Sequence, residues 1–286
     1  MTLINSGRIN FWASLKTRLI KEKTDRCGSC KETCRRRATA LRGRLTQQMS
    51  CIAFFSQKGF LEMPFYYSGD VTLYILKGKE SDLLIDTGFI GTWKEMQKWI
   101  SQYNVKHVLL THAHVDHDFN AARLQEMGAK VLLSAADKNL RQNFLSQPVK
   151  PTAPKYRLRN ITQLVGGALL KSKPYIPDIY LKEYDRDLLK SLGYDAEIIP
   201  LPGHTYGSIG VFSNGVLYCG DAFTMLWKKP DVTPHAVSIQ DMEKSLKTIL
   251  ELNFKWLACG HGVPVKMGKA RPVIEEYLKG ISKNPF

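Results

Sequence analysis

Val108-Leu109-Leu110-Thr111-His112-Ala113-His114-Val115-Asp116-His117 decides the reading of this chain. An apolar strand runs straight into three histidines and a carboxylate. Imidazole and carboxylate donors suit zinc, iron or manganese, and a strand end opening into a loop is where an α/β protein presents ligands. On an extended segment His112, His114 and Asp116 share one side, because side chains alternate with period 2, while His117 turns to the other. That arrangement predicts two neighbouring ions rather than one.

Such a site needs ligands from distant chain, and three other segments repeat the pattern of an apolar strand meeting a glycine-flanked donor. His204 follows Glu197-Ile198-Ile199 within Leu201-Pro202-Gly203-His204-Thr205. Asp221 ends Leu217-Tyr218-Cys219-Gly220-Asp221, which follows the hairpin signal Asn214-Gly215. His261 ends Trp256-Leu257-Ala258-Cys259-Gly260-His261. The neighbouring glycines Gly203, Gly220, Gly260 and Gly262 let the backbone turn sharply beside the donors.

With these motifs in order, HxHxDH, PGHT, GD and GH, the chain resembles the metallo-β-lactamase-fold hydrolase superfamily. Asp86 in Leu84-Ile85-Asp86-Thr87-Gly88 adds that family's early DTG turn, and the likeness runs from about Tyr67 to Lys283. The resemblance implies an α/β fold, an αββα sandwich of two mixed β-sheets flanked by helices, with a dinuclear site at the strand ends. It also implies that His112, His114 and His204 hold one metal, that Asp116, His117 and His261 hold the second, and that Asp221 bridges them. The cofactors expected are two divalent metal ions, zinc first, with manganese or iron as alternatives.

The chemistry follows from the donors themselves. Such a site brings the pKa of a shared water to about 7 and polarises a carbonyl or phosphoryl oxygen, so hydrolysis is its natural use. Asp116 is expected both to bind metal and to orient the attacking hydroxide, and Asp221 to set the metal spacing. With 286 residues and 44% hydrophobic content the chain can bury one large core. We expect a catalytic domain over residues 61–286 behind an N-terminal extension over residues 1–60. No apolar stretch approaches the ~20 residues that span a bilayer, and no secretory signal is visible, so a cytoplasmic enzyme is expected.

The net charge of +15 is unevenly placed: residues 1–50 hold twelve Lys/Arg against three Asp/Glu, giving +9, and the remaining 29 and 23 leave +6. A basic tail of this kind could bind nucleic acid or an anionic membrane, act as an organellar targeting peptide, be merely solvated, or be non-native sequence ahead of a start at Met49 or Met63. Within it Cys27-Gly28-Ser29-Cys30 and Cys34, with Cys51 further on, offer a weak signal for a small zinc-stabilised interaction module. Cys219 and Cys259, in apolar strands, read as buried thiols.

Elsewhere the pattern predicts hairpin strands at residues 71–76 and 83–85, helices over 92–103, 119–124 and 238–252, and a closing helix over 272–281. Between Gln147 and Asp178 it breaks into a segment with five prolines and six Lys/Arg against one acid. We read residues 147–178 as a lid or substrate-facing insertion, with Gly166-Gly167 as a hinge and with Lys150, Lys155, Arg157, Arg159, Lys171 and Lys173 favouring an anionic substrate.

The expected activity is metal-dependent hydrolysis of a small ester, thioester or lactone. Alternatives are a phosphodiesterase or nuclease acting on nucleic acid, promiscuous β-lactamase activity, and a mononuclear iron sulfur dioxygenase. By the resemblance, Asp221 disfavours a dedicated β-lactamase, which has cysteine or serine there. Phe223-Thr224 in place of a tyrosine disfavours a homoserine-lactone lactonase, and the short stretch after His261 leaves no room for the helical domain of a glyoxalase II. The long arm and extra histidine motif of the tRNA-processing members are not evident.

Overall fold

In a computed structural model the chain is described over residues 49–56, 59–68, 71–182, 185–226 and 229–283. Two mixed sheets form its frame. The first follows β1 (Met49–Ser56), β2 (Gly59–Tyr67), β3 (Thr72–Lys77) and β4 (Asp82–Ile85) as an antiparallel meander. It continues in parallel through β5 (Val105–Leu109), β6 (Lys130–Ser134) and β8 (Ile179–Leu181). β7 (Lys150–Pro151) lies outside it.

The second sheet joins β9 (Glu197–Pro200), β10 (Ile209–Ser213) and β11 (Val216–Gly220) antiparallel, then β15 (Trp256–Cys259) parallel to β11, and β16 (Val265–Lys266) at its edge. Asn214-Gly215 makes the turn between β10 and β11 with φ of 49° and 78°. Both central residues are left-handed, as a two-residue type I′ hairpin requires, and Asn and Gly tolerate that conformation best.

Period-2 alternation sorts the strands into layers. Leu73 and Ile75 of β3, with Val108, Val131 and Leu133, face a first core completed by Met96 and Trp99 of helix α1 (Trp93–Ile100) and by Ala121 and Leu124 of α3 (Ala121–Glu126), which follows the one-turn helix α2 (Val115–Asp118). Tyr74, Leu83, Ile85 and Leu109 point the other way, onto Ile198, Val211 and Tyr218 between the sheets. A third core covers the outer face of the second sheet. There Leu217, Cys219 and Leu257 meet Met242, Leu246 and Ile249 of helix α6 (Ile239–Glu251) and Ile274 of α7 (Met267–Lys283). The order helix, sheet, sheet, helix is the sandwich expected.

Several local expectations change. The first sheet begins at Met49, earlier than the boundary near residue 61, because β1 pairs with β2 along its whole length without carrying any motif. The cysteine cluster at 27–34 and the basic tail lie outside the described residues. The closing helix starts at Met267 and contains Pro272: burial of Met267, Ala270 and Ile274 on one face outweighs the hydrogen bond that proline cannot donate.

The 147–178 segment carries a 13-residue helix, α4 (Arg157–Leu169), whose apolar positions Leu158, Ile161, Val165 and Leu169 are exposed. Gly166-Gly167, expected as a hinge, lies inside α4. Any side chain at Gly167 would collide with the Phe144 ring, so this glycine permits close packing. Between α4 and α6 the chain forms α5 (Leu188–Ser191) and three short strands: β12 (Phe223–Thr224), β13 (Asp231–Val232) and β14 (His235–Ala236), the last paired with β7. Among the described residues no helix is long and apolar enough to cross a membrane.

Candidate metal centre

Every donor singled out from the sequence lies just past the carboxyl end of a strand: His112 after β5, His204 after β9, Asp221 after β11 and His261 after β15. The sheets are locked together at this point. Ile209 donates its N–H to Thr111 O at 2.9 Å, and Thr72 N–H to Gly260 O at 2.8 Å. Strand ends from both sheets therefore converge on one place.

The alternation expected through Asp116 stops at His114. His114 is extended (φ −76°, ψ 148°), but Val115–Asp118 coils into a helical turn. That turn swings His117 back, so its ring centroid lies 4.1 Å from that of His112 instead of on the opposite side. Donor atoms then gather in three overlapping groups, each spanning no more than 4.8 Å: His112, His114 and His204; His112, His117 and Asp221; Asp116, His117 and His261. Asp221 touches both ends of the cluster, with Oδ2 3.1 Å from His261 Nε2 and 3.6 Å from His204 Nε2, and Oδ1 3.4 Å from His117 Nε2. All seven residues expected at the site are brought together.

The fit to a metal can be tested on the polar atoms. Buried side-chain atoms are nearly always hydrogen-bonded, and an orphan costs about 1–3 kcal/mol. Here His112 Nε2, His114 Nε2, His117 Nε2 and Asp221 Oδ1 are buried without a hydrogen-bond partner. The other ring nitrogens of these histidines are engaged: His112 Nδ1 meets Thr111 Oγ1 at 3.1 Å, His114 Nδ1 meets His204 Nε2 at 2.9 Å and His117 Nδ1 meets Asp86 Oδ2 at 2.9 Å. His204 Nδ1 meets the His235 carbonyl at 2.8 Å. An imidazole that donates from one nitrogen to an oxygen presents a lone pair on the other, the tautomer a metal ligand needs.

Electrostatics agrees. Burial, with the neighbouring imidazoles, holds His112 and His114 well below the usual histidine range, so both stay neutral. Burial would also lower His117, but Asp221, Asp86 and Asp116 raise it to about 9. For Asp221, burial pushes upward while His261 and His117 hold the carboxyl well below its ordinary value. The cluster is a concentration of carboxylate charge that protons on His117 and His261 neutralise, and a dication can replace those protons.

Two carboxylates behind the donors orient them. Asp86, left-handed at φ 63°, accepts from Thr111 N–H at 2.8 Å and Thr111 Oγ1 at 2.9 Å besides meeting His117. Asp137 went unnoticed in the sequence. Fully buried, it accepts from Ala113 N–H (3.0 Å), Gly207 N–H (2.9 Å), Thr205 Oγ1 (2.8 Å) and Gln147 Nε2 (3.0 Å). It thereby clamps the loop of His112 and His114 to the loop of His204. Its one signal is position: a carboxylate following the apolar run Val131-Leu132-Leu133, as the ligands follow theirs. His235 was also missed. Its carbonyl fixes His204, and its side chain borders the cleft above the cluster, but no apolar strand precedes it. Burial first, then His204 and Arg159, lower its pKa to about 3. His107, the remaining histidine, contacts Tyr194 and lies elsewhere.

Gly260 bears directly on this geometry, since a Cβ there would press into Asp221 Oδ1 and His117. Cys219 and Cys259 are free buried thiols, as expected.

Residues 67–261 match the family model of the metallo-beta-lactamase superfamily. A probable metallo-hydrolase, MJ0888, of Methanocaldococcus jannaschii is 29% identical over 202 residues, 66% of this chain and 86% of that protein. Hydroxyacylglutathione hydrolase GloC of Haemophilus influenzae is 32% identical over 121 residues, 41% of this chain and half of that protein. Among solved structures, TTHA1623 in a di-iron-bound form superposes with a TM-score of 0.52 at 23% identity, covering 71% of this chain and 93% of that one. Matched span, fold and relatives agree that this chain belongs to the metallo-beta-lactamase superfamily and is a metal-dependent hydrolase.

Proposed function

We propose that the chain hydrolyses a small ester or thioester at a dinuclear metal centre. The observation that carries this reading is the three overlapping groups of donor atoms, with orphaned atoms on His112, His117 and Asp221 and with Asp221 in contact with both ends. In this assignment His112, His114 and His204 hold one ion, Asp116, His117 and His261 hold the other, and Asp221 lies between them. Bound there, two dications would act as Lewis acids on a carbonyl oxygen and bring the pKa of a water to about 7.

The protein's own part is orientation. Asp116 lines the cleft and is 21% exposed, so its carboxylate is placed to accept a hydrogen bond from the attacking water. Asp86 keeps the His117 ring from rotating, and Asp137 holds together the loops that carry His112, His114 and His204. Zinc is our first choice of metal. The di-iron form of TTHA1623 makes iron the alternative. Thioesters take precedence over lactones because of the similarity to GloC, a hydroxyacylglutathione hydrolase.

Metal analysis with initial rates on a thioester, a lactone, an aryl phosphodiester and a β-lactam tests the proposal. Two metals per chain and preference for the carbonyl substrates are expected, and Asp221→Ala is expected to lose a metal and most turnover. Preference for the phosphodiester, or an Asp221→Ala protein with two metals and full activity, refutes it.

A further inference from the structure

The six basic residues of the 147–178 segment do not share one role. Lys155 pairs with Asp231 at 3.0 Å and Lys173 pairs with Glu126, while Lys150, Arg157 and Lys171 are exposed. Arg159, half-buried on α4, is the one of the six that lines the cleft together with Asp116, His204, Asp221 and His261. Gln163 follows one turn later on the same helix face and lines the cleft too.

Facing the same space is His235. It is 5% exposed, and its Nδ1 is buried without a hydrogen-bond partner. The strand carrying it and the segment leading into α4 are joined by backbone: β14 pairs with β7, Thr152 N–H donates to Pro234 O at 3.0 Å, and Asn160 Nδ2 donates to Val149 O at 3.1 Å. The Arg159 guanidinium and the His235 residue thus border one cleft of about 90 Å³ beside the reacting centre, with the unpartnered Nδ1 buried just behind its lining.

We infer that Arg159 and His235 form a subsite for a carboxylate carried by the substrate, so that the molecule hydrolysed is a small ester or thioester with a free carboxylate a few atoms from the scissile carbonyl. This rests on the carbonyl-hydrolase reading above. The planar guanidinium matches a carboxylate in shape and charge. A phosphate dianion would bring a second negative charge next to Asp116 and Asp221, and among the described residues lining the cleft Arg159 alone of the Lys and Arg side chains meets it. The ring of His235, with Nδ1 unpartnered, offers a hydrogen bond beside the guanidinium.

The test compares metal-loaded full-length protein with its Arg159→Gln and Arg159→Lys variants on monomethyl succinate and its neutral counterpart methyl valerate, and titrates each protein calorimetrically with succinate. Arg159→Gln is expected to raise KM for the succinate ester and Kd for succinate at least ten-fold, with a several-fold smaller effect on kcat/KM for methyl valerate and with both metals retained. Arg159→Lys is expected to recover part of the loss, since it keeps the charge but not the fork. Equal losses on both esters, unchanged succinate binding, or tighter Arg159-dependent binding of inorganic phosphate than of succinate overturns the inference. If neither ester is hydrolysed the carbonyl-hydrolase reading fails, and the succinate titration alone then decides the subsite.

Discussion

Asp137→Asn is a nearly isosteric change that separates the clamp from the ligands themselves. The carboxylate accepts four hydrogen bonds, two per oxygen: Oδ1 from Gly207 N–H and Gln147 Nε2, and Oδ2 from Ala113 N–H and Thr205 Oγ1. An asparagine can keep only one of those oxygens. Placing the amide nitrogen where Oδ1 stands would oppose Gln147, whose Oε1 is already committed to Tyr206 N–H at 2.8 Å. The nitrogen therefore takes the Oδ2 position, where the Thr205 hydroxyl can rotate to accept but Ala113 N–H is stranded. One buried orphan costs about 1–3 kcal/mol. Relief of the burial that raises the Asp137 pKa offsets part of this, so we expect a net loss of about 1–2 kcal/mol for the asparagine and about 3–5 kcal/mol for Asp137→Ala, which strands every donor. Ala113 lies between His112 and His114, and Thr205 follows His204. The damage should accordingly fall on one metal, with affinity at His112, His114 and His204 weakened about 10–100-fold and the ion at Asp116, His117 and His261 held more nearly as before. Urea unfolding of the metal-free protein gives the first quantity and stepwise chelator competition the second. An Asp137→Asn protein within 0.5 kcal/mol of the parent, with both metal affinities intact, would refute the clamp.

Three further outcomes follow from the same geometry. Asp86→Asn should do the converse, weakening the ion at Asp116, His117 and His261 about 10–100-fold while the other is retained, because it removes the acceptor that fixes the His117 tautomer; the same stepwise competition reads it. Gly260→Ala should lower kcat about 100-fold or more, since its methyl must displace Asp221 and His117, and a variant with parental kcat and two metals would show that the backbone has room to yield. Tyr74→Phe should cost about 1–3 kcal/mol by removing the buried donor to Cys259 O at 2.7 Å, with kcat unchanged; a thermal melt beside a rate assay checks it.

Much of the site was legible in the residues because its donors sit at strand ends, and strand ends are marked locally by apolar runs that stop at glycine. His204, Asp221 and His261 carry that mark, and His112 and His114 follow the apolar run Val108-Leu109-Leu110 directly. Helix α4 was obscured by its exposed apolar face, which mimics no buried pattern, and by two glycines inside it. Asp86 was visible only as a turn, and Asp137 and His235 not at all. A residue that orients a ligand needs only the right place in space, and no spacing rule along the chain records it.

By itself the sequence determined the alternation that fills three cores, the Asn214-Gly215 turn, and a donor set with the chemistry of a dication site. Tertiary structure decided how those donors divide. His117 reaches the cluster because a helical turn after His114 reverses the direction that strand alternation would give it. Asp137 and Asp86 hold opposite ends of the centre because β4, β6 and the loop after β9 end side by side. Of the six cations in the 147–178 segment, packing brings Arg159 to the cleft wall. Composition and period are properties of neighbours in the chain, whereas metal coordination and substrate charge are met by atoms a few ångströms apart in space, and only the folding of distant segments fixes which atoms those are.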